Sequence, residues 1–393
     1  MNYDYDLLIG GGGLAGNCLA LALKDSGLKI AIIEAQSREQ LQNSPAGDRA
    51  LALAAGTVTL LDALGAWQGA KAYATAIQHI HVSDQGHFGK TRLSAEKEGV
   101  EALGYVIAAR HLENHVAHLV AEAKIPLYCP ARIVGLSSSH EAVHVSLQHQ
   151  HESLNLTAKL LVGADGGDST IRKLLEIAQQ KTDYAQTALV TSVKTFLPLK
   201  NTAYERFTNS GPLAILPQGD YQASVVWTRT HEQAADLLAC GEKEFLTQLQ
   251  ACFGYRLGEL NLAAPRRAFP LSLIRAEKMI AQRTVIIGNA AHQLHPVAGQ
   301  GFNLGLRDVV QLAQSLIAET NADIGAADFL QRYAKLRQTD HDRVIYFTDN
   351  LVKFFSTSHL SIVTARNLGL TLLDHLPAAK TLLARHAMGF QPS

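Results

Sequence analysis

Short apolar runs alternate with helically spaced apolar positions at the start of the chain, which predicts a strand, helix, strand unit. Leu7 to Ile9 form a buried run, Leu14, Cys18, Leu21 and Ala22 recur at helical spacing, and Ile30 to Ile33 make a second strand, with Gly27 suited to the helix C-cap. The order returns in AKLLVGADGGDSTIRKLL, where an apolar strand meets glycines and then a helix with Asp168 and Ser169 as capping candidates and Arg172 in its first turns. It returns again at Thr284 to Ile287, ahead of HPVAGQG and the helical FNLGLRDVVQLAQSL. From about Thr75 to Leu103 and from about Thr182 to Pro270 the period shortens to alternating runs such as HIHVSD, TALVTSV, GPLAILPQ and ASVVWT, broken by the helical KEFLTQLQACFG. These predict a mostly antiparallel sheet. The fold class is therefore α/β: a Rossmann-like dinucleotide-binding domain (1–74, 104–181 and 271–335) interleaved with an antiparallel β-sheet substrate domain (75–103 and 182–270), then a helical C-terminal region, 336–393.

The glycines in the first unit carry chemistry. Gly11, Gly13 and Gly16 satisfy GxGxxG between strand and helix, serving a tight turn, a bare backbone beside a pyrophosphate, and close helix–strand packing. The helix start at Leu14 and Ala15 offers free N–H groups to phosphates, and Glu34, at the end of the next strand, can accept from a ribose diol. An acid at position 34 favours an unphosphorylated adenosine ribose, as in FAD or NAD. In the third unit, Pro296, Gly299 and Gly301 make a rigid loop of exposed N–H groups at a helix start. Such a loop stabilises negative charge, as on the N1–C2=O edge of a reduced flavin, so one loop would hold the diphosphate and the other the ring.

Composition narrows the function. Thirty-five basic residues balance 35 acidic ones, which removes the electrostatic case for nucleic-acid binding. The four cysteines form no CxxC pair, arguing for a reducing compartment and against a disulfide frame or zinc knuckle. The N-terminus lacks a signal-peptide pattern, and no apolar run approaches the roughly 20 residues of a membrane span, so a cytoplasmic protein is expected, at most peripherally attached to the membrane.

GxGxxG with Glu34, GADGGDSTIR and GNAAHQLHPVAGQGFNLGLRD, in this order, resemble the class A flavoprotein aromatic hydroxylases, whose fold is that of p-hydroxybenzoate hydroxylase. GDRALALAAGTVTLLDALGAW and HPVAGQGFNLGLRDV look like the ubiquinone-biosynthesis branch, and IHVSDQGHFG and YERFTNSGPLAILP look like its 2-polyprenyl-6-methoxyphenol hydroxylases. The resemblance runs from Tyr5 to about Leu370. It implies FAD as cofactor, NAD(P)H as transient electron donor, O2 and a polyprenyl phenol as substrates, and oxygen transfer through a flavin C4a-hydroperoxide. It implies that Gly11, Gly13, Leu14, Ala15, Gly16 and Glu34 hold the ADP half of FAD. Arg49 would lie beside the cofactor, Asp165 would serve flavin and donor, and Pro296, Gly299, Gln300, Gly301, Phe302 and Asn303 would line the ring. Asn289 stands where most members have Asp; an amide keeps the acceptor oxygen, so binding is expected to survive. Other quinone-biosynthesis proteins are expected partners.

His295 and Pro296 are the candidates nearest the reacting face, with His295 able to orient a phenol or relay its proton, or simply to bond its own loop. His111, His115 and His118 fall on one helical stripe, but HLENH lacks the HExxH order, so a solvated face rather than a metal site is predicted. Phe207, Leu213, Leu216 and Trp227 could line an apolar pocket, although alternation makes them first the inner face of the sheet. The Leu-rich and Phe-rich tail, with Lys353, Arg366, Lys380 and Arg385, is amphipathic; it suits packing on the flavin domain, or a membrane or partner surface.

Overall fold

In the computed structural model, described for residues 3–150, 152–294, 300–319, 323–356 and 360–389, the strand Tyr5–Gly10 lies at the centre of a parallel sheet. Ile30–Ile33 and Glu152–Gly163 flank it, Leu127–Tyr128 lies beyond the first, and Thr284–Ile286 beyond the second. Gly10 pairs with both Ile33 and Gly163, and Gly163 with Ile286. The turns that follow Gly10, Gly163 and Ile286, and Glu34, therefore leave at one edge of the sheet. In open α/β sheets that carboxyl edge is where ligands bind.

Alternation along these strands builds two layers of core. Leu7, Ile9, Leu160, Val162 and Val285 pack under the helices Leu14–Ala22, Ala109–Glu122 and Gln300–Ala318. Leu8, Ala31, Leu161 and Ile286 face Val143, Val145 and Leu147 on the other side. The latter come from a hairpin, Ala131–Ser138 and Val143–His149, that joins the parallel sheet antiparallel through Glu152–Gly163. The sequence reading did not single out this hairpin.

The second sheet has nine strands, among them Gln179–Thr195, Thr202–Thr208, Gly211–Pro217, Gln222–Thr230 and Arg267–Ala276. It is antiparallel except where Thr202–Thr208 runs parallel to His79–Asp84. Helices His231–Ala239 and Glu242–Phe253 cover one face, and Leu213 and Trp227 are buried there with Phe245 and Leu249. These two candidates for pocket lining are thus sheet–helix core. A small third sheet, Ala50–Ala54, Thr75–Ile77 and Gly104–Ala108, joins the domains.

The tail forms helices Ala327–Ser356, Leu360–His375 and Pro377–Ala387. Ala384 and Met388 are buried with Ile77, Leu93 and Val106, and the Gly56 N–H donates to the Met388 carbonyl at 2.8 Å. Among the described residues no helix is long and apolar enough to cross a membrane.

Candidate cofactor and substrate site

The first glycine loop divides its work as its spacing predicts. Gly11 has φ +111°, and a Cβ there would run into the Ala164 carbonyl; a Cβ at Gly16 would run into the Gly11 carbonyl. At Gly13 a Cβ would meet nothing within 4 Å. Two glycines are thus demanded by the protein's own packing, and the third leaves open space at a helix start with no side-chain cap and no acidic residue in its first turn. That combination fits a pyrophosphate on the N–H groups of Leu14 and Ala15. Glu34 is half-buried and accepts from the Gly12 N–H and the Gln36 N–H, each at 2.7 Å. One lone pair on each oxygen remains for a ribose.

The second and third turns are built onto the first. Asp165 lies against Gly11, and its carboxylate accepts from the Ser169 hydroxyl at 2.5 Å and the Ile171 N–H at 3.0 Å. Ser169, not Asp168, caps the short helix Thr170–Leu174; Asp168 points to solvent and pairs with Lys173. Gly288, with φ +56°, opens the turn Gly288–Ala290, and a Cβ there would lie 3.5 Å from the Ala15 side chain. Asn289 is exposed beside it. The strand before it ends at Ile286, one residue earlier than the apolar run suggested.

His295, Pro296 and Gly299 lie outside the described residues, as does the side chain of Gln300. The helix that follows carries Gly301 and Phe302, both half-buried, and Asn303, which is buried. The Asn303 amide accepts from the Ala54 N–H and donates to the Ala52 carbonyl, each at 3.2 Å, fixing this helix start to the small sheet. Arg49 is exposed at the entrance to that sheet, and its carbonyl accepts from Ala109. Next to it, Asp48 bridges Arg110 at 2.6 Å and Arg267 of the large sheet at 3.7 Å.

The other face of the large sheet turns toward the small sheet and the tail. Val82, Glu205, Ala214, Val226, Val190 and Arg267 stand side by side in register across its strands, each half-buried. Ala203 and Leu216, on the same face, pack with Ile77 and Val106 of the small sheet. Around Glu205 this surface is apolar, and Arg267 stands at its far end. Burial among apolar neighbours pushes the Glu205 carboxyl up to about 7. The sequence reading missed Glu205 because YERFT shows only an ordinary alternating strand.

A second omission lies behind the third turn. Asp308, fully buried, accepts from the Gly288 N–H at 3.1 Å, bonds His292 Nε2 at 2.7 Å and His341 Nε2 at 2.6 Å, and accepts from Arg337 Nε at 2.7 Å. Burial alone would raise its carboxyl, but the charge and hydrogen bonds of the two imidazoles hold it well below the usual carboxylate range. The ligand atoms of His292, Asp308 and His341 lie within 4.8 Å of one another. Arg337, however, donates to the same oxygen as His341, so a guanidinium already balances the carboxylate. The signal was a lone acid on an apolar helix. The other histidine stripe is solvated at two of its three positions: His111 is exposed and stacks on the exposed Tyr73 at 4.4 Å, and His118 is exposed and pairs with Glu122, while His115 is half-buried against Gly69.

Known proteins of similar sequence and fold place the chain in a family. The FAD binding domain family model matches residues 4–348. A ubiquinone hydroxylase of Rhodospirillum rubrum is 34% identical over 394 residues, spanning 98% of this chain and 89% of the relative. The 3-demethoxyubiquinol 3-hydroxylase of Escherichia coli is 28% identical, covering 99% of each. Among solved structures, p-nitrophenol 4-monooxygenase from Pseudomonas putida shares the fold with a TM-score of 0.80 at 17% identity, over 100% of both chains.

Proposed function

The chain belongs to the FAD binding domain family, in the ubiquinone-biosynthesis branch of the class A flavoprotein hydroxylases, and on that premise we propose that it hydroxylates the ring of a polyprenylated phenol with O2 and a reduced nicotinamide donor. FAD is its cofactor, consistent with the open space at Gly13 and the acceptor at Glu34. When bound, FAD supplies the reducing electrons and delivers one oxygen atom; the chain supplies position, dryness and proton handling.

The observation that carries the substrate reading is Glu205 set beside Val82, Ala214 and Val226 on adjoining strands. Val82, Ala214 and Val226 exclude water and seat the ring, and the rest of the face accommodates hydrocarbon. Glu205 accepts the phenolic proton as electron density rises on the ring, a task matched to a carboxyl poised near neutral pH. Asp48 and Arg267 hold the sheet to the segment leading to Arg49, so substrate seating and cofactor position are linked.

The test is turnover of the FAD-loaded protein with a short-chain polyprenylphenol and 18O2. One labelled oxygen atom in the hydroxylated ring supports the proposal. Donor consumption with no label in the product would make the protein a flavin reductase or oxidase instead.

A further inference from the structure

At the outer edge of the large sheet, a recess of about 630 Å³ opens between the strands His79–Asp84 and Lys90–Ser94 and the C-terminal helices. Its walls carry Arg92, Lys97, Arg256 and Lys380 against one acid, Asp374. In a chain of zero net charge this is a local excess of cations. Asp374 is already engaged, accepting from the Arg92 N–H at 3.0 Å and pairing with Lys380 at 2.8 Å. Arg256 faces the His81 imidazole at 2.9 Å rather than a carboxylate, and lies over the Tyr204 ring. Burial, and then the charge of Arg256 and Arg92, pushes His81 down to about 4, so the imidazole adds no charge at neutral pH. Tyr204, which lines the recess, and Glu205 are adjacent in one strand and point to opposite faces.

The helix beside the recess is oriented against the usual rule. Asn367 is buried; its amide accepts from the Gly89 N–H at 2.7 Å and donates to Asp84 at 2.9 Å. With Asp374, it turns the polar side of Leu360–His375 onto the sheet edge. Leu368, Leu372 and Leu376, one helical turn apart, are left 52%, 60% and 51% exposed. Leu382 on the next helix and Phe88 in the strand turn that Asn367 grips are also exposed. Apolar residues outward beside a cationic recess complement an anionic lipid surface, in which headgroup phosphate and hydrocarbon lie side by side.

We propose that this surface docks the protein on an anionic bilayer, with a lipid phosphate in the recess between Arg92, Lys97, Arg256 and Lys380 and the leucine row entering the interface. The docking is independent of which phenol is hydroxylated, because it is read without turnover.

Co-sedimentation of the full FAD-loaded chain with vesicles tests it. Binding is expected to vesicles containing phosphatidylglycerol and to be lost on pure phosphatidylcholine. Arg92→Glu with Lys97→Glu, both exposed side chains, should weaken binding by about tenfold or more, as should Leu372→Asp with Leu376→Asp. Unchanged FAD absorbance would show that these variants fold. Equal binding to neutral vesicles, or unchanged binding by either double variant, overturns the proposal. So does a leucine variant that changes the oligomeric state while still sedimenting with lipid, which makes the row a protein interface. Saturable binding of inorganic phosphate or a nicotinamide dinucleotide phosphate in the recess without lipid association would assign it to a soluble anion and overturn the lipid source.

Discussion

Arg172 Nη1 donates to the Ala290 carbonyl at 2.9 Å, tying two turns that lie 118 positions apart in the chain. Its Nη2 donates to the Gly167 carbonyl, also at 2.9 Å, and the side chain is buried. Arg172→Ala would strand both carbonyls, at a cost of about 3 kcal/mol. The expected outcome is a lower melting temperature together with weaker FAD retention, and Arg172→Lys should recover only part of each. Thermal melts with and without added FAD check this.

Gly13 and Gly16 should separate binding from folding. A Cβ at Gly16 meets the Gly11 carbonyl, so Gly16→Ala should yield little folded protein. A Cβ at Gly13 meets nothing within 4 Å in the protein, so Gly13→Ala should fold but purify colourless. Far-UV dichroism and flavin absorbance on the same samples distinguish the two. A yellow Gly13→Ala protein with undiminished affinity would remove the pyrophosphate from this loop.

Glu205 gives the stability curve a limb that falls between about pH 4.5 and pH 7. Its carboxyl is raised in the folded protein to about 7, so its contribution is full below the ordinary value of 4.5 and is lost as pH rises through 7. Glu205→Gln should flatten that limb in denaturant titrations. The same variant should lower hydroxylated product per donor oxidised and remove the neutral inflection from the pH profile of kcat/KM, with FAD affinity unchanged.

Asp308 and His341 act on the acid side. Burial first, against the pull of Asp308, lowers the His341 imidazole, which therefore stays neutral where the unfolded chain takes up a proton. Stability should fall as pH drops below about 6.5, and fall again in the carboxylate range as the depressed Asp308 is forced to protonate. His341→Gln should lose less stability between pH 7 and pH 5 than the parent. Asp308→Asn, which leaves Arg337 without its buried partner carboxylate, should cost about 3 kcal/mol at pH 7.

What the sequence revealed follows from the range of the interactions involved. The strand, glycine turn and helix order at Gly11 and Gly166 is legible because each turn is local, whereas the sequence places its third glycine loop at Pro296 to Gly301 and not at the Gly288 turn; register at Gly10, Gly163 and Ile286 brings the three strand ends together. The hairpin Ala131–Ser138 with Val143–His149 was passed over because its alternation is interrupted by polar residues and a bulge. Glu205 could not be recognised without its neighbours on five other strands, and Asp308 could not be matched to His341 across 33 positions. Tertiary pairing carries no periodic signature. The tail is amphipathic in sequence, but which side it buries depends on Asn367 and Asp374 meeting the turn and strand at Gly89 and Arg92.

Those two side chains also act as stoppers. Lys90–Ser94 ends the large sheet, and an open terminal strand invites pairing with any extended segment that drifts past it. Asn367 takes the Gly89 amide and Asp374 takes the Arg92 amide, so the rim has fewer vacant donors for a stranger to grasp. A shortened chain ending near Leu370 would lose Asp374 and uncover part of the rim. Its hazard in the cell would be clumping, whatever flavin it still carried.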